Sequence, residues 1–482
     1  MRPVVTVAEM QAADAAAPVP VAVLVERAGR AVAAGALRVL GGAYGRTVVV
    51  VAGKGNNGAD GRAAARFLAA RGAQVAVLDA PAVGSGRLPP CDLVIDAAYG
   101  TGFRGTYDAP GPGGAPVVAV DVPSGLNGDT GEAGERSVRS VLTVTMAAWK
   151  PGLLLGEGPD RAGDVVVADI GLPVGDPAAH LVGEEDLGWL PARPRTTHKW
   201  VHAVWIIAGS PGMRGASQLC ARAAQRAGAG MIHVGSPGLS ADEHIPSEAV
   251  AVGLPAEGWD GPVLDELHRF HAVVVGPGLG RSQAVVGSVR RLVSASQVPV
   301  IVDADGLNAL GSASEAASVI AARPGGAGPV VLTPHDGEFT RLAGQSPGPD
   351  RMAAVRHLAG VTGAVVLLKG STTIVAAPDG TVLLASAGDA RLATAGTGDV
   401  LSGVIGAFLA AGLPALRAAG LAAHVHGRAA QLGRPVGLVA GDLPDLLAGA
   451  LAGGPTRASA GVPIQAPGGA PARPSCPPGG LR

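Results

Sequence analysis

The sequence predicts two α/β domains in tandem, each built on a doubly wound, mostly parallel sheet. Three observations predict this. The chain has 482 residues, and a single hydrophobic core stops growing at roughly 250–300 residues. Hydrophobic residues make up 48% and charged residues 16%, a balance that fills two large cores. Short Val/Ile/Leu runs alternate with longer helical stretches, and the runs are continuous, as in strands covered on both faces.

In the first half, 21–40 reads as a helix and 47–51 as a buried strand ending in glycine-rich text. A helix over 57–71 and a strand over 74–79 follow. Further strands are expected at 93–97, 117–122, 141–147 and 164–170. Residues 176–200 change character, with Glu184, Glu185 and Asp186 followed by Pro191, Pro194 and Arg195. This segment is expected to be the interdomain linker, leaving 1–175 and 201–450 as the two domains. The second series has strands at 204–208, 231–234, 272–275, 298–303, 330–333 and 365–369, and closes with helices over 397–412 and 415–432. Residues 451–482, rich in Pro, Gly and Ala without periodicity, are expected to be a disordered tail.

Composition excludes several classes. A formal net charge of −1 gives no field favouring nucleic acid or a membrane surface. Cys91, Cys220 and Cys476 stand far apart, which indicates neither a zinc site nor a disulfide framework and fits a reducing cytoplasm. No signal peptide or run of about 18 apolar residues is visible.

The first chemical motif is Ala395-Gly396-Thr397-Gly398-Asp399, which opens an apolar helix. Glycines let backbone N–H groups converge, and the helix N-terminus adds its positive dipole end, so the segment suits a transferring phosphoryl group. Asp399 in the first turn is placed to accept a proton from a substrate hydroxyl. The plainer account is an Asp-capped helix after a glycine turn. Four more motifs end strands in the same half: Gly276-Pro277-Gly278, Asp303-Ala304-Asp305, Thr333-Pro334-His335 and Lys369-Gly370-Ser371-Thr372-Thr373. Polar and glycine motifs at successive strand ends converge on one crevice.

These motifs, in this order, resemble the ADP-dependent NAD(P)H-hydrate dehydratases, a ribokinase-like family. The resemblance implies that Gly215 or Ala216, Gly278, His335 and Asp399 contact the hydrated nicotinamide nucleotide. It implies that Lys369, Gly370, Ser371, Thr372, Thr373 and Gly398 contact ADP, with magnesium accompanying the phosphates. Asp399 would activate the substrate hydroxyl toward the terminal phosphate. Trp200 and its neighbour Lys199 stand where the family usually reads Lys-Gly.

In the first half, Gly53-Lys54-Gly55-Asn56-Asn57-Gly58-Ala59-Asp60 is neither a P-loop nor a dinucleotide fingerprint. A glycine-rich loop opening a helix still suits a phosphate, and two amides exceed what a tight turn needs. Asp96 ends one strand, and Asp121 and Ser124 end another. Buried strand-end carboxylates call for a ligand or cation, and Asn57, Asp96 and Ser124 offer hard oxygens for a monovalent ion. Lys150 is expected to approach substrate phosphates.

This half resembles the NAD(P)H-hydrate epimerase domain, with a Rossmann-like fold. The resemblance implies potassium at Asn57, Asp96 and Ser124. It implies substrate contacts from Asn56, Asn57, Gly58, Ala59, Asp60, Gly100, Thr101, Gly102, Phe103, Arg104, Gly105, Thr106 and Asp121. Asp121 is the candidate acid/base, and Ala59, where a second Gly is usual, is expected to crowd the loop. The two halves together imply a bifunctional, homo-oligomeric enzyme acting on the NADH and NADPH hydrates, with no nucleic-acid partner. The competing reading is a vitamin or sugar kinase carrying a non-catalytic N-terminal nucleotide-binding module.

Overall fold

The structure is a computed structural model and describes residues 1–241 and 246–453. The N-terminal sheet has six parallel strands, in the order Gln74–Asp79, Thr47–Ala52, Leu93–Ala97, Val117–Val120, Leu142–Met146 and Asp164–Ala168. The chain leaves Thr47–Ala52 in one direction, then returns to lay Leu93–Ala97 on its other side. The order therefore reverses between these two strands, and a crevice opens outside their carboxyl ends.

Helices Val21–Leu40 and Asn56–Ala69 cover one face. Leu24, Ala28, Val32 and Ala36 recur at every fourth position and form the buried stripe of the first helix. The helix stops at Gly41, whose φ of 70° lets its N–H reach the Leu37 carbonyl. The opposite face carries short helices, such as Ala80–Val83, and loops over the smaller core of Val49, Val51, Val94 and Val117.

The second sheet has eleven strands. From one edge they run Arg2–Val4, Ala179–Leu181, Val382–Ala385, Thr373–Ala376, Val365–Leu368, Val330–Leu332, Val300–Val302, Ala272–Val275, Ala203–Ile207, Met231–Pro237 and Val250–Leu254. The stretch from Val365–Leu368 to Val250–Leu254 is parallel. Its order reverses between Ala203–Ile207 and Ala272–Val275. Helices Arg214–Arg226, Thr397–Ala410 and Ala415–Leu432 pack on one face, and Trp205, Trp259, Phe270 and Phe339 build the core of the other.

The segment expected to link the domains is itself structured. Ala179–Leu181 pairs in parallel with Val382–Leu384, and Arg2–Val4 pairs antiparallel with it. The chain thus lends its first strand to the distant sheet. Short 3₁₀ segments occupy Glu184–Trp189 and Lys199–His202. Leu154 and Leu155, from the N-terminal half, join the core of the second sheet. Helix Leu443–Ala452 runs past residue 450, and 454–482, most of the expected tail, lie outside the described residues. No helix among the described residues is long and apolar enough to cross a membrane.

Candidate active sites

A cleft of about 640 Å³ opens at the N-terminal switch point. Asn56, Asn57, Asp60, Gly100, Thr101, Gly102, Phe103, Arg104 and Asp121 line it together. The loop is tight at Gly58, where a Cβ would lie 1.9 Å from the Gly53 carbonyl oxygen. Ala59 is already helical, donating its N–H to Gly55.

Asp121 and Ala147 have φ of 67° and 63°. Each is the centre of a γ-turn of the rare positive-φ kind, closed by Val122 N–H to Val120 O and by Ala148 N–H to Met146 O. Such strain persists where surrounding structure enforces it, and it concentrates at functional sites. The turns converge on Lys150, which is fully buried. Its ammonium donates to Asp121 Oδ1 at 2.6 Å, to the Met146 carbonyl at 2.7 Å and to Thr145 Oγ1 at 2.9 Å. The expectation that Lys150 approaches phosphates is therefore corrected: all three of its donors are committed inside the protein. Burial pushes the Asp121 carboxyl up, but the Lys150 charge and the bonds from Lys150, Met146 and Thr145 outweigh it and hold it below the usual range.

Two other carboxyls face the same cleft. Burial first, then the Asp121 and Asp14 charges, push Asp60 up to about 8. Asp14, on helix Val7–Ala15, is raised by burial and by Asp121, against the pull of Lys150. Sequence reasoning missed Asp14, because only folding brings that helix to the cleft.

Asp96 and Ser124 meet behind the cleft. Ser124 donates its hydroxyl to Asp96 Oδ1 at 2.7 Å and its N–H to Oδ2 at 2.8 Å. Complete burial raises the Asp96 carboxyl to about 6, against these hydrogen bonds. Tyr99 N–H donates to Ser124 Oγ, and Gly100, the next residue, lies against Asn57. Both polar atoms of the Asn57 carboxamide are buried without a partner among the described residues.

The C-terminal site is assembled at the matching crevice. Gly396, at φ 91°, precedes helix Thr397–Ala410 and sets Asp399 in its first turn. Lys369 donates to Asp303 Oδ1 at 2.6 Å, and Ser402 donates to Asp303 Oδ2 at 2.7 Å. A Cβ on Gly398 would stand 3.2 Å from the Lys369 nitrogen, so the ammonium lies over the helix N-terminus. Burial raises Asp399 to about 7, with Asp303 and Glu338 adding to the rise and Lys369 opposing it.

Gly278, at φ 63°, lies against Ala216, to whose Cβ its own would approach within 3.1 Å. His335 is the N-cap of helix Asp336–Ala343, its Nδ1 accepting from Gly337 and Glu338 N–H, while the ring remains half-exposed. Gly370 and Ser371 are exposed, Thr373 starts a strand, and the Thr372 hydroxyl donates to the Leu154 carbonyl in the other half. Trp200 and Lys199 stand at the opposite end of strand Ala203–Ile207 from this crevice. Trp200 packs against His233 and Phe270 there, with Arg269 stacked 4.3 Å from its ring. The sequence reading also missed His426. It is buried on helix Ala415–Leu432 and lowered to about 4 by burial and then by Lys369, with Nε2 unpartnered among the described residues.

Raised carboxyls, Asp60 in one crevice and Asp399 in the other, each share a switch-point site with a lysine–carboxylate ion pair, and these define a two-site enzyme. Family models agree: one for NAD(P)H-hydrate dehydratase matches residues 204–451, and one for the YjeF-related protein N-terminus matches 21–90 and 79–152. The bifunctional NAD(P)H-hydrate repair enzyme of Salinibacter ruber is 38% identical over 455 residues, covering 78% of this chain and 82% of that protein. Its namesake in Moorella thermoacetica is 36% identical, with the same coverage. The ADP/ATP-dependent NAD(P)H-hydrate dehydratase of Bacillus subtilis, crystallised with ATP and Mg²⁺, is 30% identical at a TM-score of 0.49, covering 56% of this chain and 96% of that one. The chain belongs to the bifunctional NAD(P)H-hydrate repair enzymes.

Proposed function

We propose that the N-terminal cleft interconverts the R and S hydrates of NADH and NADPH. The C-terminal site then dehydrates the S form at the expense of ADP, releasing AMP and phosphate. One observation carries the second half: Asp399, held near neutrality, stands beside Lys369 at a glycine-opened helix N-terminus. Hydroxide is a poor leaving group. Asp399 takes the proton of the C6 hydroxyl as its oxygen bonds the terminal phosphorus of ADP and AMP departs. The tetrahydropyridine nitrogen pair then expels phosphate from C6, and loss of the C5 proton restores the C5–C6 double bond of the dihydropyridine. Lys369 and the backbone N–H groups at Gly398 neutralise charge on the transferring group.

Among the described residues no cluster of His, Cys, Asp or Glu could hold a metal ion by itself. Magnesium would arrive with the nucleotide and supply charge neutralisation on its phosphates. In the N-terminal half, the orphaned Asn57 carboxamide and the Asp96–Ser124 pair fit potassium. A bound cation would lower Asp96 and fix the 99–100 loop. Asp121, kept ionised by Lys150, is the base of the epimerisation.

The test mixes purified protein with R and S NADH hydrate, potassium and ADP, and follows NADH absorbance. Full conversion is expected. Asp399→Asn should abolish dehydration and leave epimerisation. Asp121→Asn should leave the S form reactive and strand the R form. A stable phosphorylated product without NADH would overturn the reading.

A further inference from the structure

Three carboxyls, Asp14, Asp60 and Asp121, line the N-terminal cleft, and Lys150 is wholly buried outside that lining. Lys150 is bonded to Asp121 alone among them. Asp60 lies one helical turn beyond Asn56 on helix Asn56–Ala69 and lines the same cleft as Asp121. It is only 9% exposed, and among the described residues no hydrogen bond or ion pair engages it. A buried carboxylate without a partner is costly. A buried carboxylic acid facing a substrate cleft is a proton donor waiting for an acceptor.

We propose that Asp60 is the general acid of the epimerase site, working with the Asp121 carboxylate in the same cleft. This rests on the epimerase reading of the cleft. The surroundings of Asp60 support it. Its burial first, and then the negative charges of Asp121 and Asp14, raise its carboxyl to about 8. Lys54 and Arg104 are the positive side chains along the same cleft, and Lys150 is neutralised by Asp121.

The step balances without an outside reagent. Asp121 takes the proton of the C6 hydroxyl. The C6–N1 bond breaks, its electron pair going to N1, and Asp60 delivers its proton there. The open chain carries an aldehyde at C6 and an enamine N–H at N1. Rotation about C5–C6 presents the other carbonyl face. N1 adds back, Asp60 recovers its proton, and Asp121 returns the other to oxygen. Both carboxyls end as they began, so each turnover resets the site.

The experiment measures epimerisation of NADH hydrate against pH in the full-length protein. ADP-dependent dehydration of the S form, at the other site, serves as the folding control. The wild-type kcat/KM should fall on the alkaline side as Asp60 loses its proton near pH 8. Asp60→Asn should lower epimerisation by about 10²-fold or more, with dehydration of the S form preserved. Asp14→Asn removes a negative neighbour and should move the alkaline limb to lower pH. If Asp60→Asn epimerises at the wild-type rate, or Asp14→Asn leaves the limb in place, the assignment is wrong. If the wild-type protein itself fails to epimerise, the reading of the whole cleft is wrong.

Discussion

The Thr372 hydroxyl donates to the Leu154 carbonyl across 2.7 Å of buried space, joining the two halves of the chain. Thr372 belongs to the Lys369–Thr373 segment proposed to hold the nucleotide. Leu154 ends the short helix Pro151–Leu154, which begins directly after Lys150. One hydrogen bond therefore ties the C-terminal nucleotide loop to the lysine segment of the N-terminal cleft. Thr372→Val keeps the shape and leaves a buried carbonyl unpaired, at a cost of about 1–3 kcal/mol. Thermal unfolding should show a lower midpoint for this variant, and Thr372→Ser should restore most of it.

Asp303 is 1% exposed and accepts from both Lys369 and Ser402. It holds the ammonium over Gly398. Asp303→Asn removes a charge-assisted bond, and the lysine loses its fixed direction. The expected effect is about a 10–100-fold rise in the KM for ADP, from the 1.5–3 kcal/mol of such a bond. Steady-state dehydration kinetics check this, and Ser402→Ala should show a smaller change of the same kind.

Asp121 and Lys150 form an ion pair in which the lysine is wholly buried. Removing only the acid strands that charge, at about 3–5 kcal/mol. Asp121→Asn should therefore unfold at lower denaturant than the parent. The double variant Asp121→Asn with Lys150→Met should recover stability but not epimerisation. Chemical denaturation curves, set beside the activity of each variant, separate the two effects.

In the role proposed for it Asp399 is a base, so its ionised form is the working one. With its carboxyl raised to about 7 by burial and by Asp303, dehydration should be slow at pH 6 and rise to a plateau above pH 8. The sign is opposite to that expected for epimerisation, where a proton must be held. Measuring both rates on one preparation across pH 5.5–9 should give limbs running in opposite directions.

The long elements were legible in the sequence. The uninterrupted Val runs of Thr47–Ala52 and Ala272–Val275 mark buried strands, and the fourfold stripe of Val21–Leu40 marks a helix. The motifs at strand ends were legible because glycines and acids interrupt such runs. The three-residue strands Arg2–Val4 and Ala179–Leu181 were not, because three residues carry no period. The Asp14–Asp60–Asp121 grouping escaped because its members come from three segments that only packing brings together. The role of Lys150 escaped because it depends on two positive-φ turns, at Asp121 and Ala147, where Asp and Ala are uncommon.

The shared edge of the large sheet also sets an order of events during synthesis. Arg2–Val4 and Ala179–Leu181 can pair with each other as soon as both are made, but the strand that receives them, Val382–Ala385, is translated far later. At about 5–20 residues per second, the two-stranded ribbon waits for tens of seconds with one edge unpaired. A ribbon of that size is only marginally stable in water. The N-terminal sheet, complete by Ala168, can fold in that interval and hold the ribbon close to the place where its partner will emerge.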